Sequence, residues 1–196
     1  MFISFEGIDG SGKSTLANLL CKELELRAID YIFSREPGGT KLGEKIRNIL
    51  LDFKGNVSSK SELLLFLAAR NQQIEEIITP ALNNHKWLVV DRFCDSTYAY
   101  QVFGRGLDLE ETIMLNNFAT ESIVPNKTFY IKIDPCVAIS RQTSKDRISC
   151  NNKDFYNKVS NGFDYVAGMY PERIITLDGS QTPEELMKII KRNIFV

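Results

Sequence analysis

Eight residues near the start of the chain, Gly7-Ile8-Asp9-Gly10-Ser11-Gly12-Lys13-Ser14, carry the pattern Gly-x4-Gly-Lys-Ser. Glycines at this spacing leave room for successive backbone N–H groups to close around phosphate oxygens. The lysine adds a point charge near the β- and γ-phosphates, and the Ser14 hydroxyl is placed to ligate Mg²⁺. Such a loop works only where a strand delivers it and a helix N-terminus receives it. Apolar residues 1–5 precede it and a helical pattern opens near Ser14. The loop therefore reads as a binding site for a nucleoside triphosphate.

Three further groups of residues fall where they could complete that site. Leu88-Val89-Val90 ends in Asp91-Arg92, and an acid just past an apolar strand is the usual second holder of Mg²⁺ beside a phosphate loop. Arg35-Glu36-Pro37-Gly38-Gly39-Thr40 follows another apolar run. It is either a Pro-Gly turn with a solvated ion pair or a loop bringing Arg35 to the carboxyl edge of a sheet. Phe66 and Arg70 share one helix face at i and i+4. That spacing reads first as a core aromatic; a ring that stacks a base beside a guanidinium that hydrogen-bonds it is the sharper alternative. Three arginines, Arg35, Arg70 and Arg92, could thus hold a second anion, which favours phosphoryl transfer between two bound substrates over hydrolysis. A GTP-dependent switch would need Asn-Lys-x-Asp, but Asn126-Lys127 runs on into Thr128-Phe129.

The elements that must position these residues alternate as an α/β parallel sheet requires. Strands are expected at residues 2–5, 29–34, 87–90, 128–133 and 174–177, apolar enough to be covered on both faces. Helices are expected at 14–26, 42–51, 61–82, 110–120, 135–142, 153–168 and 183–192. Ser59 with Glu62, and Thr182 with Glu185, read as capping boxes. Gly104-Arg105-Gly106 and residues 140–153 are the candidate mobile loops. The Leu63-Leu64-Leu67 face could serve an interface or the core. With 196 residues and a net charge of −1, one domain is expected, without a global field drawing it to nucleic acid or membrane. Cys21, Cys94, Cys136 and Cys150 lack metal or redox spacing and read as thiols in a reducing compartment. His85 sits in a polar turn, and no leader or membrane-spanning run is visible. A cytoplasmic location follows as an expectation.

Taken in order, Glu6 to Thr15, Arg35 to Thr40, Leu65 to Arg70 and Asp91-Arg92-Phe93-Cys94-Asp95-Ser96-Thr97-Tyr98-Ala99-Tyr100-Gln101 resemble bacterial thymidylate kinase over nearly the whole chain. The resemblance implies a P-loop nucleoside-monophosphate-kinase-like fold, a central five-stranded parallel sheet flanked by helices, in a single domain over 1–196 with a short lid near 141–153. It implies transfer of the ATP γ-phosphate to dTMP, with Mg²⁺, by a homodimer. ATP would lie on Gly7, Ile8, Asp9, Gly10, Ser11, Gly12, Lys13, Ser14 and Thr15, and Ser14 and Asp91 would hold Mg²⁺ with the nucleotide. Phe66 would stack on thymine, Arg70 would bond its O4, and Thr97 and Gln101 would border it, with Ser96 also in the dTMP site. Arg92, Arg35 and Arg47 would hold the acceptor phosphate. Asp9 would meet the 3′-hydroxyl, and Tyr100 would crowd C2′ of the sugar. Family members carry their last catalytic arginine either in the phosphate loop, where this chain has Gly10, or in the lid. The chain resembles the second type, so Lys13 and Arg92 would be joined by Arg147 or Arg141, with Lys145 standing where an arginine is usual. Kinases of other deoxynucleotides or deoxynucleosides, and a nucleotide-binding regulator with weak turnover, are the alternatives.

Overall fold

The computed structural model describes residues 1–142, 147–148 and 153–195. Among them, five strands form one parallel sheet in the order β2-β3-β1-β4-β5: β1 Phe2–Glu6, β2 Tyr31–Arg35, β3 Trp87–Asp91, β4 Lys127–Lys132 and β5 Ile174–Asp178. Side chains alternate between the two faces, as the pleat requires. Phe2, Leu88, Val90 and Tyr130 enter one apolar layer, whereas Ile3, Phe5, Val89, Phe129 and Ile131 enter the other. The second layer is closed by α1 (Lys13–Leu26) and α9 (Pro183–Ile194). The first includes buried residues of α8 (Lys153–Met169). Every strand expected from the sequence is present. β2 starts at Tyr31, two residues late, because the Ile29 amide still closes the end of α1 on the Leu24 carbonyl at 3.0 Å.

The remaining helices are α2 Lys41–Asp52, α3 Ser59–Gln73, α4 Thr79–Asn83, α5 Cys94–Thr97, α6 Leu109–Thr120 and α7 Pro135–Ser140. The helix expected over 61–82 is interrupted by a π-helical stretch, Ile74–Ile78, before α4. A second π stretch, Tyr98–Gly104, follows α5, and neither was anticipated. Thr182 caps α9 in a full capping box. The other expected box is absent: Ser58, not Ser59, accepts the Ser61 amide at the start of α3. Glu62 instead turns inward and is 1% exposed. Leu63 and Leu67 pack against Ala119 in the core, while Leu64 stays exposed. The Gly104–Gly106 segment is anchored by an Arg105–Glu62 ion pair of 3.1 Å. Most of the other candidate loop, 140–153, lies outside the described residues.

Strand order reverses direction at β1, which lies between β3 and β4, so the crevice at the carboxyl ends of the strands is the place for ligands. Register brings Phe5, Asp91 and Arg35 side by side at that edge.

Candidate active site

A cleft of about 840 Å³ opens along this edge. Its floor is the loop between β1 and α1. Gly10 and Gly12 have φ of 86° and 97°, which side-chain-bearing residues rarely adopt, and a Cβ on Gly10 would stand 2.1 Å from the Ala138 carbonyl oxygen of α7. The loop is therefore wrapped tightly against α7, in backbone conformations that glycine tolerates cheaply. Lys13 is buried, and its Nζ donates to the Ile8 carbonyl at 2.9 Å. Burial first, and Arg92 second, lower the Lys13 pKa to about 8, against the pull of Asp9, Asp91 and Glu6. Gly7 and Ile8 stand behind the cleft, whereas Asp9 through Thr15 line it. The Ser11 hydroxyl is buried without a hydrogen-bond partner among the described residues.

Two strands bring the next groups. Ser14 Oγ donates to Asp91 Oδ2 at 2.5 Å, so loop hydroxyl and strand-end carboxylate meet at one point. Arg92 has φ of 73°, an uncommon left-handed backbone for a residue with a side chain and the kind of local strain that clusters at functional sites. Its guanidinium donates to Ser96 Oγ (2.9 Å), Asp9 Oδ1 (2.5 Å) and the Tyr100 hydroxyl (3.2 Å). Ser96 is in turn fixed by the buried Glu6 carboxyl at 2.5 Å. Burial and the nearby Asp95 push the Glu6 pKa up to about 8. Burial would raise Asp9 as well, but Arg92 and Lys13 overcome it and hold that carboxyl below its ordinary value. The result is a junction where one acid and two cations face each other across the middle of the cleft.

Beyond the junction lies a half-apolar pocket. Phe66 is partly buried, packs against the small cluster of Ile46, Leu50 and Ala69 and against the main core, and lines the cleft. Arg70 is 1% exposed and reaches the same wall. All five of its N–H donors are engaged: Nε and one terminal nitrogen grip Glu36 (2.9 and 2.5 Å), that nitrogen also reaches the Phe93 carbonyl (3.1 Å), and the other meets Thr97 Oγ1 (2.9 Å) and Asn116 Oδ1. Burial, the larger effect, raises the Glu36 pKa above its ordinary value, and the bidentate Arg70 guanidinium opposes that rise. Gln101 Nε2 donates to Glu62 at 3.0 Å. The bland expectation of an exposed Arg35–Glu36 pair is thus replaced: Glu36 is buried on Arg70, and Arg35 pairs with Glu44 at 3.2 Å. Arg47 donates to the Pro37 carbonyl at 2.9 Å and lines the cleft with Arg35.

The two candidate lid arginines part company. Arg141 lines the cleft, as do Gly179, Gln181 and Pro183 after β5. Arg147 is held elsewhere, on Glu62 at 2.8 Å and on the Leu50 carbonyl at 2.8 Å. Lys145 lies outside the described residues. Sequence reasoning missed Glu36, Asn116 and Glu62, whose partners are distant in the chain, and the wall after β5, which only the strand order brings to this edge. Among the described residues, no group of three or more His, Cys, Asp or Glu could hold a metal ion unaided.

Comparison with known proteins agrees with this geometry. A family model described as thymidylate kinase matches residues 5–190. The thymidylate kinase of Fervidobacterium nodosum is 46% identical over 192 residues, covering 97% of this chain and 96% of that protein. That of Kosmotoga olearia is 43% identical, covering 95% and 91%. The crystal structure of thymidylate kinase from Ehrlichia chaffeensis superposes with a TM-score of 0.80 at 37% identity, covering 97% and 98% of the two chains.

Proposed function

The chain belongs to the thymidylate kinase family and phosphorylates dTMP to dTDP using ATP, and we propose that it does so by holding the two nucleotides end to end in this cleft. The observation that carries the reading is the Asp9–Arg92–Lys13 junction, which lies between a phosphate loop and an aromatic pocket in one cleft. Phosphoryl transfer asks little covalent chemistry of a protein; alignment and stabilisation of charge on the moving group supply the rate. The loop amides, Lys13 and the otherwise unpartnered Ser11 hydroxyl suit the β- and γ-phosphates. Arg92, aimed by Ser96, Asp9 and Tyr100, takes the acceptor phosphate with Arg35 and Arg47. Asp9 is free to exchange part of its bond with Arg92 for the sugar 3′-hydroxyl. Ser14 and Asp91 offer two hard oxygens 2.5 Å apart, a donor set that fits Mg²⁺ held mainly by phosphates and water. When bound there, the ion would offset negative charge on the β- and γ-phosphates.

In the acceptor pocket Phe66 stacks the base. Arg70 has no idle N–H, so thymine O4 takes its bond by sharing the donor now given to Thr97. Gln101 has its Nε2 committed to Glu62, so the end it offers a ligand is the acceptor Oε1, matched to the thymine N3–H. Of the two lid arginines, Arg141 is the one on the donor side. The domain is single; most of the lid expected over 141–153 lies outside the described residues. Exposed Leu64, Met114 and Phe118 on α3 and α6 support a homodimer, and the free thiols Cys21, Cys94 and Cys136 are in keeping with the cytoplasm. Among the described residues no helix is long and apolar enough to cross a membrane. Replacing Arg92 by Met tests the junction: kcat is expected to fall by about 10³-fold or more, and retention of wild-type turnover would remove Arg92 from the reaction.

A further inference from the structure

Glu62 lies in the first turn of α3, where a carboxylate ordinarily faces water and the helix N–H groups. Here it is 1% exposed and gathers three side chains. Its Oε1 accepts from Gln101 Nε2 at 3.0 Å and Arg105 Nε at 3.1 Å, and its Oε2 lies 2.8 Å from an Arg147 terminal nitrogen. Burial raises the Glu62 pKa, but the contacts with Arg105, Gln101 and Arg147 outweigh it and leave the carboxylate ionised.

Arg147 is held by two hydrogen bonds and an ion pair. Its backbone N–H donates to the Leu51 carbonyl at 3.2 Å and its Nε to the Leu50 carbonyl at 2.8 Å, while its buried terminal nitrogen lies 2.8 Å from Glu62 Oε2 outside hydrogen-bonding geometry. All three anchors belong to α2 and α3, the helices that carry Leu51 and Phe66 of the acceptor pocket; none belongs to the phosphate loop. The next residue, Ile148, is 6% exposed, lines the cleft, and belongs to the apolar cluster that includes Tyr100 and against which Phe66 and Leu51 pack. A guanidinium can reach a carbonyl and a carboxylate in two directions at once, which an ammonium on a flexible stem does not reproduce.

We propose that the Glu62–Arg147 pair is a latch that seats Ile148 over the nucleobase end of the acceptor pocket, so that Arg147 is a positioning residue for dTMP and not the cation that meets ATP. The same carboxylate sets the amide of Gln101, so cover and base-reading group are tied to one anchor. The proposal rests on the assignment of that pocket to dTMP.

Steady-state kinetics with dTMP and ATP varied separately tests it, together with calorimetric binding of dTMP to each protein. The variants are Arg147→Gln, Arg147→Lys and Ile148→Ala, all of which leave the Glu62–Arg105 pair in place. Loss of one buried charge-assisted contact should raise the KM and Kd for dTMP about tenfold or more in Arg147→Gln, with kcat falling less than about threefold and KM for ATP unmoved. Arg147→Lys should fall between, and Ile148→Ala should shift the same constant in the same direction. A fall in kcat of roughly 10³-fold with KM for dTMP unchanged would overturn the latch and make Arg147 the transferring cation. A lowered Tm with unaltered constants would also overturn it, leaving a structural tie only. Failure of the wild-type protein to bind or turn over dTMP would instead strike the assignment of the pocket, a result visible before any variant is made.

Discussion

Replacing Glu36 by Gln should be among the most damaging single changes in this chain, although Glu36 touches no reacting atom. Arg70 and Glu36 have side chains 1% and 4% exposed and meet at 2.5 Å, and Nε adds a bond to each carboxylate oxygen at 3.1 and 2.9 Å. Glutamine keeps the shape but removes the charge and turns one acceptor into an N–H₂ facing other N–H groups. Removing one partner of a buried pair leaves the other charge uncompensated and costs about 3–5 kcal/mol. For a chain of this size each kcal/mol shifts Tm by about 2–4 °C, so a fall of roughly 6–20 °C is expected in a thermal unfolding scan. The guanidinium freed from Glu36 should also lose its aim, raising KM for dTMP well before KM for ATP. The double variant Glu36→Gln/Arg70→Gln removes both charges and should recover at least about 2 kcal/mol of the stability while leaving dTMP recognition impaired. A Glu36→Gln protein within about 2 °C of the wild-type Tm, with an unchanged KM for dTMP, would refute the idea that this pair holds the pocket.

Stacking on an aromatic ring is worth about 1–3 kcal/mol per base. Phe66→Ala should therefore raise KM for dTMP roughly 5- to 150-fold with kcat little changed, and an unaltered KM would return Phe66 to the core alone. Lys13 has its pKa lowered to about 8 in the free protein, and an anion binds the ammonium form. ATP affinity should be flat below about pH 8 and weaken by up to tenfold per pH unit above it, with uptake of a proton on binding that calorimetry in buffers of different ionisation enthalpy would detect. A flat affinity through pH 9.5 would contradict this. Gly10→Ala places a Cβ 2.1 Å from the Ala138 carbonyl oxygen at a φ of 86°, and should lower stability by more than about 1 kcal/mol while weakening ATP binding. Wild-type Tm and ATP affinity in that variant would show that α7 yields easily, and that an arginine could enter from the loop after all.

Much of this was legible in the residues because local chemistry constrains it. The strands announce themselves as short apolar runs, since a parallel sheet buries both faces, and the phosphate loop does so because glycine spacing and the following Lys-Ser are demanded by its ligand. The π-helical stretches at Ile74–Ile78 and Tyr98–Gly104 were hidden, because one extra residue per turn changes neither composition nor polarity. Glu62 was misread for a different reason. Its spacing from Ser59 satisfies the capping pattern, but Gln101, Arg105 and Arg147 offer a buried carboxylate more than a helix end does, and none is a neighbour in sequence. Arg35, expected at the carboxyl edge of the sheet, lines the cleft there together with Arg70 from its helix, while the acid that holds Arg70 had only the reading of a solvated pair. Pair partners of buried charges are a tertiary property, and the Pro-Gly turn around Glu36 carries no sign of them.

Transfer to dTMP is read out by steady-state ADP release from the purified protein, with ATP, Mg²⁺ and in turn dTMP, dUMP, dCMP, UMP and thymidine. Turnover should be strongest with dTMP, weak with dCMP, whose 4-amino group faces the Arg70 donors, and weak with UMP, whose 2′-hydroxyl meets Tyr100. Tight ATP binding without ADP release on any of these acceptors would contradict transfer to dTMP and point to a regulator that keeps the phosphate loop without the transfer.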